Sequence, residues 1–253
     1  MNTAVDINCD MGEGTGTDEQ IMPFVSSANI ACGYHAGSLD EMRKVIRMAV
    51  TKGVAIGAHP SFADRENFGR KEFSLPSAEI YRLVTEQLRT IQSLAKEEGA
   101  VLHHVKPHGA LYNLSARDAT VAAAIVAAVK DLEPSLILYG LSGSLSIDAA
   151  LEAGLPAARE VFADRRYRAD GSLVPRSDQR ALIEVPAESV LQVEQILTTG
   201  TVPSIDGSAI PLSADTICIH GDSKGAVETA RALAAGLRRL GIECRPVNSL
   251  NSF

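Results

Sequence analysis

VAIGAHPSFADRENFGRKEFSLPSAEIYRLVTEQLRTIQSLAKEEGAVLHHVKPH, residues 54 to 108, reads as a strand, a helix and a second strand. Its first run, VAIGAHP, is short and apolar, and so is the start of its last, VLHHVKPH (101 to 108). Between them Ile80, Leu83, Val84, Leu88, Ile91, Leu94 and Ala95 recur at the spacing of one helix face, and Gly99 falls where that helix should stop. Two strands joined by a helix run parallel through a right-handed crossover. Both runs also end in groups that carry chemistry: His59 in one, Lys106 and His108 in the other.

The alternation extends along the chain through VDINCD (5 to 10), ANIACG (28 to 33), LILYG (136 to 140), EVFAD (160 to 164) and TICIHGD (216 to 222), giving seven strands in all. Val227, Ala230, Ala234 and Leu237 mark a last long helix, which Ser223 is expected to cap. Ser38 and Glu41 form a capping box, and Gly53 and Gly241 mark helix stops. An α/β fold follows, either an open doubly wound sheet or a closed (β/α) barrel. Almost every strand ends in polar groups, as a ring of loops around one centre requires, so a barrel is expected. The alternation breaks between 165 and 215, where SIDGSAIPL sets Asp206-Gly207 between short apolar arms and predicts a hairpin-containing insertion. No linker cuts the chain, and one domain spanning 1–253 is expected.

A net charge of −7 argues against a nucleic-acid partner. RRYRADGSLVPRSDQR (165 to 180) is a local exception, with Arg165, Arg166, Arg168, Arg176 and Arg180 on a loop that is either simply solvated or a site for a small anion. Cys9, Cys32, Cys218 and Cys244 form no CxxC pair and read as buried hydrophobes of a reduced, cytoplasmic protein. No signal peptide is evident at the N-terminus, and no apolar run approaches the roughly 18 residues of a membrane span.

In a barrel, Asn8, Asp10, His35, His59, Lys106, His108, Asp164, Arg165, His220 and Asp222 would share the C-terminal rim. Singly they have ordinary explanations: His59 before Pro60 can fix a turn, and Asp222 can support a helix start. Together, a lysine, carboxylates and imidazoles in one cleft shift one another's pKa toward acid–base work, which points to an enzyme. Alternation turns His104 and Lys106 inward and His103 outward, with His108 re-aimed beyond Pro107. Asp10, His59, His108 and His220 are metal-ligand types, but no HExxH spacing occurs, which leaves a metal open. Nucleophilic catalysis is disfavoured because no GxSxG elbow occurs; LSGSLS (141 to 146) reads as a polar turn. GDSKGA is not a phosphate loop, and GEGTG (12 to 16) is a turn able at most to form an anion nest.

DINCDMGEG, ANIACGYHAG, GAHPSFADRENFGR, VKPHGALYN, EVFADRRYRADGSLVPR and ICIHGD, in order from residue 6 to 222, resemble the LamB/YcsF family, described as the A component of ATP-dependent 5-oxoprolinase. The resemblance implies a seven-stranded barrel of the glycoside hydrolase/deacetylase type. It implies ring opening of 5-oxo-L-proline to L-glutamate coupled to ATP hydrolysis, with subunits B and C as partners through which ATP enters. Deacetylase relatives hold a divalent metal through an aspartate after the first strand and an HxxxH pair; Asp10 matches the aspartate, which by itself leaves the metal open. On this reading Asp10 or His59 is the general base, Lys106 and His108 stabilise negative charge, and His220 donates a proton to the leaving nitrogen. Arg165 holds a carboxylate or phosphate, and Asn8, Glu13, His35, Asp164 and Asp222 complete the substrate-binding set. Two rival readings are a stand-alone metal-dependent amidase or deacetylase and a non-catalytic substrate-binding protein.

Overall fold

A computed structural model describes residues 3–248. Six strands follow in order: β1 (Ala4–Met11), β2 (Ser27–Ala31), β3 (Ala55–His59), β4 (His104–Val105), β5 (Ile137–Leu141) and β6 (Ala157–Phe162). A small antiparallel pair, β7 (Thr201–Pro203) and β8 (Ala209–Pro211), precedes β9 (Thr216–His220), and β10 (Glu243–Cys244) adds to the outer end of β1. The first six strands and β9 are parallel neighbours, and β9 pairs with β1 from Asp6↔Thr216 to Asp10↔His220. That last pairing closes a seven-stranded barrel.

The helices are α1 (Asp18–Ile21), α2 (Leu39–Lys52), α3 (Ser77–Glu97), α4 (Gly109–Ser115), α5 (Ala119–Leu132), α6 (Leu145–Glu152), α7 (Pro186–Thr199) and α8 (Ala226–Arg239). No helix among the described residues is long and apolar enough to cross a membrane. Ser38 caps α2 by accepting from the Glu41 N–H, and Gly53 ends it in the left-handed conformation that a side chain would strain. Ser223 does not cap α8, whose N-cap is Gly225; its hydroxyl instead donates to Asp164. Cys244 is exposed, against the expectation of four buried cysteines. Between β6 and β9 lies α7, which the sequence pattern does not announce and whose start is set by Pro186 at a position where its missing N–H is harmless.

Alternation along β1 sorts the two sides of the barrel wall. Val5, Ile7, Cys9 and Met11 join the apolar layer between strands and helices, whereas Asp6, Asn8 and Asp10 make polar contacts with residues of other strands. The interior is therefore polar and must be satisfied internally. Asp6 accepts from Ser26, Ser27 and Thr216 at the lower end. Above it, the His104 ring stacks on Tyr139 and bonds to Asn29 at 2.8 Å. Gly57 makes room for that ring: a Cβ there would lie 2.1 Å from His104 Nε2.

The expected strand 101 to 108 is regular only at His104–Val105. Its backbone nevertheless stays tied to β3, because His103, Lys106 and His108 donate N–H bonds to the carbonyls of Ile56, Ala58 and Pro60. Pro107, with no N–H, interrupts the ladder without releasing its neighbours. His103 turns outward, where Nε2 meets the Val247 carbonyl.

Candidate active site

A cavity of about 800 Å³ opens at the C-terminal ends of the strands, and Asp10, His59, Lys106, His108 and His220 all line it. Of the six residues expected to touch substrate, Arg165 lines it too. Asn8, Glu13, His35, Asp164 and Asp222 stand behind this lining and brace it.

At the cavity floor Lys106 Nζ lies 2.9 Å from Asp10 Oδ1, 2.9 Å from Glu160 Oε1, 3.1 Å from Asn8 Oδ1 and 3.0 Å from Cys218 Sγ. Burial opposes its charge, but Asp10 and Glu160 outweigh burial and hold the amine well above the usual lysine range. All three N–H groups are engaged, so Lys106 differs from the expected oxyanion donor; its fixed charge acts on Asp10. Burial would raise the Asp10 carboxyl, yet His59 and Lys106 outweigh it and hold it well below the usual range. Asp10 is a firm anion and a poor proton acceptor. Asn8 is fully buried, with Nδ2 on Glu160 and Thr216 and Oδ1 accepting from Asn29 and Lys106. It positions the floor instead of meeting substrate.

Glu13, His35, His59 and His108 form a second group beside the floor. Glu13 Oε1 lies 3.0 Å from His35 Nε2 and 3.4 Å from His108 Nδ1, and His108 Nδ1 lies 2.9 Å from His59 Nε2. Burial pushes the His35 imidazole down to about 2 and holds His108 well below the usual range, so both are neutral. A neutral His108 with Phe68 and His59 as partners is not the charge stabiliser expected. Burial, then the negative charges of Asp10 and Asp222, raise the Glu13 carboxyl well above its usual range. The ligand atoms of these four residues lie within 4.8 Å of one another. Imidazoles and a carboxylate form a donor set suited to zinc-class ions, so the residues fit such a group; of the HxxxH spacing His104–His108 only His108 belongs to it, because His104 is turned to Asn29 and Tyr139.

On another wall His220 Nδ1 lies 2.9 and 3.1 Å from the two oxygens of Asp164, and its backbone N–H donates to the same carboxylate. Burial would raise the Asp164 carboxyl; His220, by charge and hydrogen bonds, outweighs burial and takes it to about 2. The ring is stacked along Phe162, which leaves Nε2 to the cavity. Arg165 is buried, with Nη2 donating to the Val174 carbonyl and Nε buried without a protein partner. The arginine segment divides: Arg168 and Arg176 line the cavity with Arg165, while Arg166 pairs with Glu188 and Arg180 with Asp178 on the surface. Asp222 pairs with Arg70 and approaches Arg176 at 3.7 Å.

Sequence reasoning missed Asn29, Glu160, Cys218 and Arg70. Glu160 was legible, because alternation along β6 from Phe162, which lines the cavity, turns residue 160 to the same side. Arg70 carried no such signal, since it sits on a loop.

The closed parallel barrel is a fold shared with a carbohydrate esterase and a polysaccharide deacetylase. A family 4 carbohydrate esterase from Streptomyces lividans, solved with acetate, superposes with a TM-score of 0.50 at 11% identity, covering 99% of this chain and 96% of that one. A polysaccharide deacetylase from Bacillus cereus gives 0.50 at 14% identity, over 100% and 95%. These two speak for the fold. The chain itself belongs to the LamB/YcsF family, whose model matches residues 5–252. A lactam utilization protein from Thermus thermophilus superposes with a TM-score of 0.88 at 42% identity, over 96% of this chain and 99% of that one.

Proposed function

We propose that this protein is the A component of an ATP-dependent 5-oxoprolinase, a hydrolase that opens the lactam ring of 5-oxo-L-proline to give L-glutamate, with ATP entering through partner subunits B and C in the cytoplasm. The observation that carries this reading is the convergence on one cavity of two acid–base groups, His59 beside Asp10 and His220 beside Asp164. The similarity to a lactam utilization protein supports a lactam as the substrate class.

A lactam is a resonance-stabilised amide, and phosphorylation of its oxygen by ATP leaves an electrophilic carbon for water. His59 Nδ1 is tied to the Lys106 carbonyl at 2.6 Å, which leaves Nε2 to take the water's proton. Asp10, kept ionised by Lys106, lies 3.2 Å from that Nε2 and stabilises the imidazolium that forms. The same electrostatics disfavour Asp10 as the base. As the C–N bond breaks, His220 delivers a proton from Nε2 to the leaving nitrogen, with Asp164 orienting the ring through Nδ1, and the acyl phosphate so formed is hydrolysed by a second water to L-glutamate and phosphate. Arg165 supplies a desolvated cation for the substrate carboxylate.

The test is reconstitution of the chain with subunits B and C, following 5-oxoproline-dependent ADP release and glutamate together. Turnover is expected only with all three present, and it should be lost in His220→Asn. Lactam hydrolysis by the isolated chain without ATP would overturn the partner-dependent reading in favour of a stand-alone amidase.

A further inference from the structure

Three histidines of the Glu13 group have their outer nitrogens committed as donors. His59 Nδ1 faces the Lys106 carbonyl and His108 Nε2 the Phe68 carbonyl, at 2.6 and 2.9 Å, and a carbonyl can only accept. His35 Nδ1 faces Ser61 Oγ, whose own proton goes to the Phe62 carbonyl. The inner nitrogens, His59 Nε2, His108 Nδ1 and His35 Nε2, are then the ring atoms turned toward Asp10 and Glu13.

Those inner nitrogens face one another and two carboxylates. His59 Nε2 and His108 Nδ1 are 2.9 Å apart, Asp10 Oδ2 is 3.2 Å from the first, and Glu13 Oε1 is 3.4 Å from the second and 3.8 Å from the first. Two ring nitrogens and two carboxylates packed this closely need a cation or shared protons among them. Outer N–H groups tied to backbone carbonyls are also how proteins aim imidazoles at a metal. The separations bracket the edge of about 3.4 Å expected for a tetrahedron with metal–ligand bonds of about 2.1 Å.

Ring orientation selects the members. The His59 and His108 rings meet at 80°, so their lone pairs can converge on one point. His35 lies flat against His108, with centroids 3.8 Å apart and planes within 6°, and parallel rings cannot both aim in-plane lone pairs at one ion. We propose that His59 Nε2, His108 Nδ1 and the carboxylates of Asp10 and Glu13 bind one divalent transition-metal ion of the zinc class, with His35 bracing Glu13 and His108 from outside the coordination sphere. This inference deepens the proposed hydrolase site and rests on that reading only for the ion's use. Such an ion supplies Lewis acidity at the cavity floor, His59 then serves as a ligand instead of the base, and the role of His220 is unchanged.

The test uses the purified full chain, stripped with a chelator and titrated with Zn²⁺ and with Co²⁺ by calorimetry, with the visible spectrum of the Co²⁺ form recorded. One ion per chain, a low-symmetry Co²⁺ spectrum and a raised melting temperature are expected. His59→Ala and His108→Ala should each weaken binding by at least about 100-fold, whereas His35→Phe, which keeps the stacked ring, should retain one ion and the same spectrum. No saturable binding by the wild-type chain would overturn the proposal, and this outcome requires no variant to fold. Binding equally strong in a folded His59→Ala chain, or loss of the ion in folded His35→Phe, would also overturn it. Binding is read without substrate or partners, so its failure leaves the lactam-opening reading standing, and failed reconstitution leaves the ion standing.

Discussion

Glu160 Oε1 lies 2.9 Å from Lys106 Nζ, so one buried ammonium is shared with a second carboxylate, Asp10, at the same distance. The three groups form a charge balance inside the barrel, and removing its one cation leaves two buried anions facing each other. Lys106→Met restores most of the volume but not the charge. It is expected to cost about 3–5 kcal/mol in urea denaturation, with Lys106→Met/Glu160→Gln recovering part of the loss. A single variant within about 1 kcal/mol of wild type would show that the floor is not held by charge.

His220 and Asp164 should act as a unit. His220→Gln and Asp164→Asn are each expected to lower kcat in the reconstituted enzyme by about 100-fold to 10,000-fold, and the double variant little further. Steady-state kinetics on the three proteins checks this. Losses that multiply in the double variant would mean that the two residues act separately.

Asp164 also predicts a stability profile. Its folded carboxyl sits at about 2 against 3.8 for a free aspartate, so the stabilisation is fully present above pH 4 and is lost as pH falls through about 2. The shift corresponds to about 2 to 3 kcal/mol for this buried group. Urea titrations from pH 5 to the acid limit should show a shallower acid limb in Asp164→Asn than in wild type, and parallel curves would refute the assignment.

Arg165 and Arg166 are adjacent but should differ in effect. Arg165→Met removes a buried cation at the cavity and is expected to raise KM for 5-oxoproline by about 10-fold to 100-fold. Arg166→Ala breaks a surface pair with Glu188 and should leave KM unchanged. Equal effects would place the carboxylate elsewhere.

Gly57→Ala tests the barrel interior. The added methyl meets the His104 ring, and the strand backbone on both sides is paired, so neither partner can retreat easily. A loss of about 1–3 kcal/mol is expected by thermal denaturation.

The sequence by itself determined the succession of strands and helices, because hydrophobic period and helix-stop glycines are local properties. It also pointed to the strand ends: Asp10, His59, Lys106, His108 and His220 carry chemistry where apolar runs stop, and the barrel brings all five to one cavity. What it could not supply was which of these groups are free. Lys106 is charged in any reading, but its engagement with Asp10, Glu160, Asn8 and Cys218 depends on four strands meeting across the barrel. His35 and His108 are 73 positions apart and became stacked rings; Arg165 and Arg166 are neighbours, and one entered the cavity while the other paired on the surface. Only the closure of β9 on β1 decides such matters, since hydrogen-bond partners and desolvation are set by through-space distances that linear order does not encode.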